Sequence, residues 1–367
     1  PKEKQTTGDV RIEFYAAIKT AEPFLPAGTV IAREQTYVHT FYKKEATAQQ
    51  PATSKEEGNL VAFSGPDFKA TFDKQSGLLT SYLYKKHEYI LNGQGPRPFF
   101  WRAPTDNDYG ANLPVRLKAW KEASYQEPKA ESFQVTPGSN ATTIKVTYRF
   151  PQTDARWDIT YKIYASGVIK VDNRFVAEGD QAPMIPRVGL RMQLPESFTD
   201  LTYYGRGPKE NYRDRRTSQF IGEYAIPVKD MYEPYVRPQE NNHRTDIYWC
   251  ALTDKTQRGL LLIADRTFEL NTSNYPLESM DSGDTIDNSA PRTEKTHHRH
   301  LTDPLPEKMV DLFIDYRMMG VGGDDSWGAT AHEPYLIRPG KENAIEYGFS
   351  LVPVSYTHLT LPTNSRV

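Results

Sequence analysis

The chain has 367 residues, 38% of them hydrophobic and 25% charged, with a formal net charge of -2. That length suffices for two or three domains, and the composition excludes a disordered chain. The missing basic excess argues against a nucleic-acid partner, and no apolar run approaches the roughly 20 residues that span a bilayer, which argues against a membrane partner.

In chain order, the first element is a strand. In VRIEFYAAIK, Val10, Ile12, Phe14, Ala16 and Ile18 share one face, with Arg11, Glu13 and Lys19 on the other. A turn at Pro26-Ala27-Gly28 leads to a second strand in TVIAREQTYV. Two or three strands are too few for an independent sandwich. The sequence also begins without Met, so residues 1–45 read as the back half of a small β-domain cut from a longer protein. Residues 46–58, polar with Pro and Ser, have linker composition.

A new domain is expected over residues 59–354. It opens with two strands joined by a turn at Asp73-Lys74-Gln75-Ser76-Gly77. Strand alternation continues, with inward sets Ile144, Val146, Tyr148 and Phe150, then Trp157, Ile159, Tyr161 and Ile163, then Val188, Leu190, Met192 and Leu194. Val310, Leu312, Ile314 and Tyr316 alternate again, as do Ile345, Tyr347, Phe349 and Leu351. One short helix is expected in NLPVRLKAWKEA, with Asn112 as its N-cap, Leu113 and Pro114 in its first turn, and Leu117 and Trp120 on one face. Twenty-three Tyr, 16 Phe and 27 Pro fit an all-β fold rich in turns. So many strands with one short helix imply a large two-sheet sandwich. Residues 355–367 carry no usable periodicity and read as a non-native tail.

Five clusters carry chemistry. In RPFFWRAPTDNDYG, Phe99, Phe100 and Trp101 anchor a structured polar loop of Arg102, Asp106, Asn107 and Asp108, with Gly110 as a hinge. In YYGRGPKENYRDR, Arg206, Glu210, Asn211, Asp214 and Arg215 are expected to form a hydrogen-bond network. MYEPYVRPQENNHR, with Glu240, Asn241 and His243, reads as an extended segment lining a groove. In THHRHL, a strand would put His298 and His300 on one face and His297 on the other, so no metal site is expected there. In MGVGGDDSWG, Gly322 and Gly323 free the backbone, and Asp324 and Asp325 suit turn capping or sugar hydroxyls. The indole of Trp327 suits core packing or a platform for a sugar ring. Cys250, in DIYWCAL, pairs with no second cysteine and is expected buried and inert.

In this order the five clusters resemble the C-terminal region of glycoside hydrolase family 2 β-galactosidases. The resemblance implies a large antiparallel supersandwich of the galactose mutarotase type, preceded by a partial immunoglobulin-like β-domain. It implies a parent that hydrolyses terminal β-galactosides with retention in an upstream TIM barrel, through two glutamates roughly 5 Å apart. No catalytic residue is therefore expected in this chain, and no cofactor; any Mg2+ or Na+ used by the parent belongs to its barrel. Trp327, with Asp324 and Asp325, is expected to lend a platform to the substrate site. Asp108, Gly110, Ala111 and Asn112 are expected in a mobile loop that shapes that site, supported by Arg102, Asp106 and Asn107. Expected partners are a β-galactoside or other carbohydrate, the barrel, and further copies of the parent. Two other readings are a stand-alone carbohydrate-binding module and a mutarotase-like enzyme using His243 and Glu240.

Overall fold

A computed structural model of the chain describes residues 8–41, 50–178, 184–283, 300–325, 328–338, 340 and 344–355. His297, His298, Trp327 and nearly all of the expected tail lie outside the described residues. The chain divides into two units, and the described residues 8–41 belong to the smaller one. There, strands Gly8–Ala17 and Val30–Phe41 pair antiparallel from Gly8 opposite Phe41 to Ala17 opposite Val30. The expected turn closes them: the Thr29 amide donates to the Pro26 carbonyl at 3.1 Å, and Gly28 takes the positive φ that a side chain would resist. Ile12, Phe14, Val30 and Ile31 of this pair are exposed.

The larger unit is antiparallel throughout its described strands. A five-stranded meander runs in chain order through Thr53–Glu57, Leu60–Ser64, Phe68–Asp73, Leu79–Tyr84 and His87–Glu88. Its tight turn forms because the Asp73 carboxylate accepts from the Gln75 and Ser76 amides, each at 3.1 Å, while Gly77 takes positive φ. Thr53–Glu57, expected in the linker, is instead an edge strand paired with Leu60–Ser64. All five of its side chains are exposed, so its polar composition is that of a solvated edge.

The second sheet has twelve strands and branches. One path runs Phe220–Pro227, Asp200–Gly207, Arg244–Thr253, Arg258–Ser273, Ile345–Ser355, Ile169–Ala177, Ala155–Ile163, Thr142–Phe150 and Ala130–Thr136. Its pivot is the 16-residue strand Arg258–Ser273. The first part of that strand pairs with Ile345–Ser355 and its last part with Met309–Met318, which in turn pairs with Arg187–Pro195 and then Arg97–Phe99.

The inward sets at residues 144–150, 157–163 and 188–194 are all buried. Phe100, Trp120, Trp157 and Phe175 form an aromatic cluster, with ring centroids 5.1 to 6.2 Å apart in tilted or edge contacts. The buried Trp157 indole donates to Asn173 Oδ1 at 3.0 Å, so the core carries that polar atom without penalty. Cys250 is buried, as expected, and burial raises its thiol pKa.

The helical region departs from expectation. Three short helices, Asp106–Gly110, Leu113–Arg116 and Lys118–Tyr125, replace one. Asn112 sits at the N-cap of the second in the left-handed region, without a side-chain cap bond. Leu117 and Trp120 are buried as the apolar face required.

Candidate functional site

Strand Arg97–Phe99 is pinned to Arg187–Pro195, and the buried Phe100 and Trp101 fix the chain that leaves it. The segment expected as a loop then forms a helical turn with a capping box. Thr105 Oγ1 accepts from the Asp108 amide at 3.1 Å, and Asp108 Oδ2 accepts from the Thr105 amide at 3.0 Å. Asp108 also takes both ends of the Arg102 guanidinium, at 2.8 and 3.0 Å. The remaining Arg102 donors reach the Met319 carbonyl at 2.7 Å and the Gly320 carbonyl at 3.1 Å. Burial disfavours the charge on Arg102, but the Asp108 carboxylate outweighs this and its pKa is raised. One buried cation thus ties the turn at residues 105–110 to the start of the 319–328 segment.

Asp214 holds the next stretch. Its carboxylate accepts from the Val321 amide at 3.2 Å and the Gly322 amide at 2.7 Å. A Cβ at Gly320 would lie 2.6 Å from Asp214 Oδ2, so glycine is what allows the approach. Farther along, Asn107 Nδ2 donates to the Asp325 carbonyl at 3.2 Å, and Asp325 Oδ1 accepts from the Ala329 amide at 3.2 Å. Gly328, at φ 118°, packs on the Gly110 backbone so closely that a Cβ would meet Gly110 C at 2.3 Å. From the third motif, Arg237 Nε reaches Asp106 Oδ1 at 3.2 Å and Gln239 Nε2 donates to Asp106 Oδ2 at 3.3 Å.

Four of the five motifs therefore meet at one rim. Asp324 and Asp325 are exposed there, Asp324 with its carboxylate 2.8 Å from His332 Nε2. Asp325 spends one carboxylate oxygen on its own turn. Among the four residues expected in the mobile loop, Asp108 is a buried anchor, because its carboxylate is consumed by Arg102 and the cap. Gly110 and Asn112 are exposed, and Ala111 is half-buried. Asp106 is exposed and Asn107 half-buried, both bonded to other motifs, while Arg102 is the buried support. Sequence reasoning missed Asp214 as the clamp on Gly320–Gly322, since only the fold brings residues 214 and 322 together. Thr105 was findable: Thr followed three residues later by Asp is a cap-like pattern.

The expected network in the second motif forms in part. Arg215 and the Tyr235 hydroxyl both bond Glu210, whose other oxygen accepts from the Asn242 amide at 2.7 Å. Arg206 instead pairs with Asp246 at 2.7 Å. The pairing of His243 with Glu240 does not occur. His243 Nε2 lies 2.9 Å from Glu269 Oε2 and all three side chains are buried. Glu240 faces Arg187 at 3.6 Å, with burial pushing its carboxyl pKa up. Among the described residues, no group of three or more His, Cys, Asp or Glu is placed to hold a metal.

An all-β unit with a branched antiparallel sheet, its conspicuous motifs gathered at one loop rim, defines the class. The chain belongs to the family described as the beta galactosidase small chain, which it matches over residues 64–351. It is 33% identical over 291 residues to a beta-galactosidase of Priestia megaterium, covering 79% of this chain and 26% of that protein. It is 30% identical to the beta-galactosidase of Lactobacillus delbrueckii subsp. bulgaricus over 92% of this chain and 31% of that protein. A beta-galactosidase of Streptococcus thermophilus is 27% identical, covering 94% of this chain and 32% of that protein. The chain thus spans between a quarter and a third of the length of these relatives. A similar solved structure is a galactose 1-epimerase from Lactobacillus acidophilus NCFM, with 6% identity and a TM-score of 0.45, covering 84% of this chain and 99% of that one.

Proposed function

We propose that this chain is the C-terminal part of a β-galactosidase whose catalytic glutamates lie upstream in a barrel domain. In this reading residues 59–354 form the domain that braces the barrel, and the rim at residues 105–112 and 320–328 faces the substrate. Trp327 is the platform on which the sugar in the leaving-group site stacks, and Asp324 and Asp325 bond its hydroxyls. The observation that carries the reading is the joining of this loop to the Asp106–Gly110 turn through Arg102, Asn107 and the Gly328–Gly110 contact. A residue lent to a neighbouring site must be held by its supporting residues, and these bonds anchor the described residues on either side of Trp327. The share of the relatives' length that the chain covers leaves room for a catalytic domain elsewhere in the parent.

The test is hydrolysis of a nitrophenyl β-galactoside by this chain alone and by the parent, with and without Trp327→Ala. The isolated chain is expected to be silent. In the parent, Trp327→Ala is expected to raise KM by about tenfold, the loss of one stacking contact of about 1.4 kcal/mol. Turnover by the isolated chain, or an unchanged KM in the parent variant, would sink the reading.

A further inference from the structure

Where strand Met309–Met318 runs into the rim, its last residue is held by a side chain. The Met318 amide donates to Glu269 Oε2 at 2.8 Å, and His243 Nε2 lies 2.9 Å from the same oxygen. Arg213 Nη1 donates to Glu269 Oε1 at 3.3 Å. One carboxylate of Arg258–Ser273 thus joins the residue before Met319 to the second and third motifs. Glu269 and Asp315 are direct partners across Arg258–Ser273 and Met309–Met318, an unfavourable placing for two like charges. On its other side Asp315 opposes Gly189, where a Cβ would lie 1.7 Å from Asp315 Oδ1. Arg187 lies 3.2 Å from Asp315 Oδ2 and 3.6 Å from Glu240 Oε2. Arg187, His243 and Asp315 are fully buried, and Glu269 and Glu240 nearly so.

The charges of this cluster do not balance. It holds three carboxylates, Glu240, Glu269 and Asp315, against two guanidiniums, Arg187 and Arg213. Neighbouring charges are committed elsewhere: Arg102 to Asp108, Glu210 to Arg215, and Asp246, which also faces Arg213, to Arg206 and Arg216. Tyr347 faces Asp315 and Tyr212 faces Glu240, and burial raises both phenols well above their ordinary range, so neither adds charge. Neutrality then requires one further proton, shared among the three carboxylates and His243. Places for it are open: both Asp315 oxygens and His243 Nδ1 are buried and make no hydrogen bond among the described residues. Burial, partly offset by Arg187, pushes the Asp315 carboxyl up to about 7, which brings that proton into the range of ordinary pH.

We propose that this cluster is a proton-dependent latch on the segment at residues 319–325. With the proton bound the cluster is neutral and Glu269 holds the Met318 amide. When the proton leaves, an uncompensated buried negative charge stands opposite Glu269. Opening of the strand end to water relieves it and frees the segment that follows. The latched state is the one that carries the proton, so the latch is complete at low pH and is lost as pH rises through about 7. Its bearing on substrate rests on the reading of this rim as part of the substrate site.

Hydrogen exchange of the whole 367-residue chain, read by mass spectrometry and corrected for the intrinsic pH dependence of exchange, tests the latch. The amides of residues 318–322 all donate hydrogen bonds. Their protection is expected to fall by at least about tenfold between pH 6 and pH 8.5. It is expected to stay well below that of residues 258–263 throughout, because the latch opens locally. Asp315→Asn keeps the shape and removes one of the three carboxylates, so the pH dependence is expected to vanish. Glu269→Gln serves if that variant fails to fold: its amide oxygen can still accept from Met318, and protection is again expected to be flat. Flat protection in the unchanged chain, a fall that persists in the variants, or equal protection of residues 318–322 and 258–263 would overturn the latch. In the parent, KM for a nitrophenyl β-galactoside is expected to rise more steeply over this interval than in its Asp315→Asn variant. Identical KM profiles, with exchange as expected, would leave the latch standing and overturn the placing of the rim at the substrate.

Discussion

Arg102 shows how one side chain joins two segments far apart in the sequence. Its guanidinium is buried, bonded to Asp108 on one side and to the Met319 and Gly320 carbonyls on the other. Removing one partner of a buried pair leaves the other charge uncompensated, which costs more than the pair contributes. Arg102→Ala is therefore expected to destabilise the larger unit by about 3–5 kcal/mol, read as a lower urea midpoint at unchanged m-value. A midpoint within experimental scatter of the unchanged chain would refute that role. Gly328→Ala acts differently. Its Cβ would strike the Gly110 backbone at a positive φ, so the variant is expected to release the loop, seen as faster limited proteolysis within residues 320–332. Cleavage at the original rate would mean the close approach is not required.

At the scale of elements, strands were legible because a period of two with one buried face leaves a plain record, as in Trp157, Ile159, Tyr161 and Ile163. Short helices left no such record. Asp106–Gly110 is shorter than two helical turns, so its cap, not its periodicity, was the available signal. Thr53–Glu57 misled for the opposite reason: an edge strand with every side chain exposed reads as linker. The strands Gly8–Ala17 and Val30–Phe41 form a two-stranded sheet with no third strand among the described residues. A two-stranded sheet is marginal in water, and Ile12, Phe14 and Val30 are exposed on it. Amide exchange there is expected to be fast, within seconds to minutes by hydrogen-exchange mass spectrometry, against strong protection in Arg258–Ser273. Comparable protection of both would show that the pair is covered.

Across the whole molecule, the branch point of the large sheet is also its electrostatic centre. Asp315 of Met309–Met318 lies buried beside Arg187 at 3.2 Å, with His243, Glu269 and Glu240 also facing it. Burial, partly offset by Arg187, pushes its carboxyl pKa up to about 7. In the unfolded chain that carboxyl ionises near pH 4. Between those values the folded state binds the extra proton, so this group's contribution is largest at low pH and is lost as pH rises towards 7. Relative to Asp315→Asn, the unchanged chain is expected to lose on the order of 2 kcal/mol between pH 5 and pH 8, measured by urea unfolding. Parallel stability curves for the two proteins would contradict the shift.

The sequence by itself determined the all-β class, most inward-facing sets, the buried Cys250 and the five motifs that mark the family, because alternation and turn chemistry are local properties of the chain. It did not determine which motifs touch. Arg102 meeting Gly320, Asp214 clamping Gly322, and His243 choosing Glu269 over Glu240 join residues far apart in sequence. Only the antiparallel register and the branching at Arg258–Ser273 bring such residues within hydrogen-bond distance.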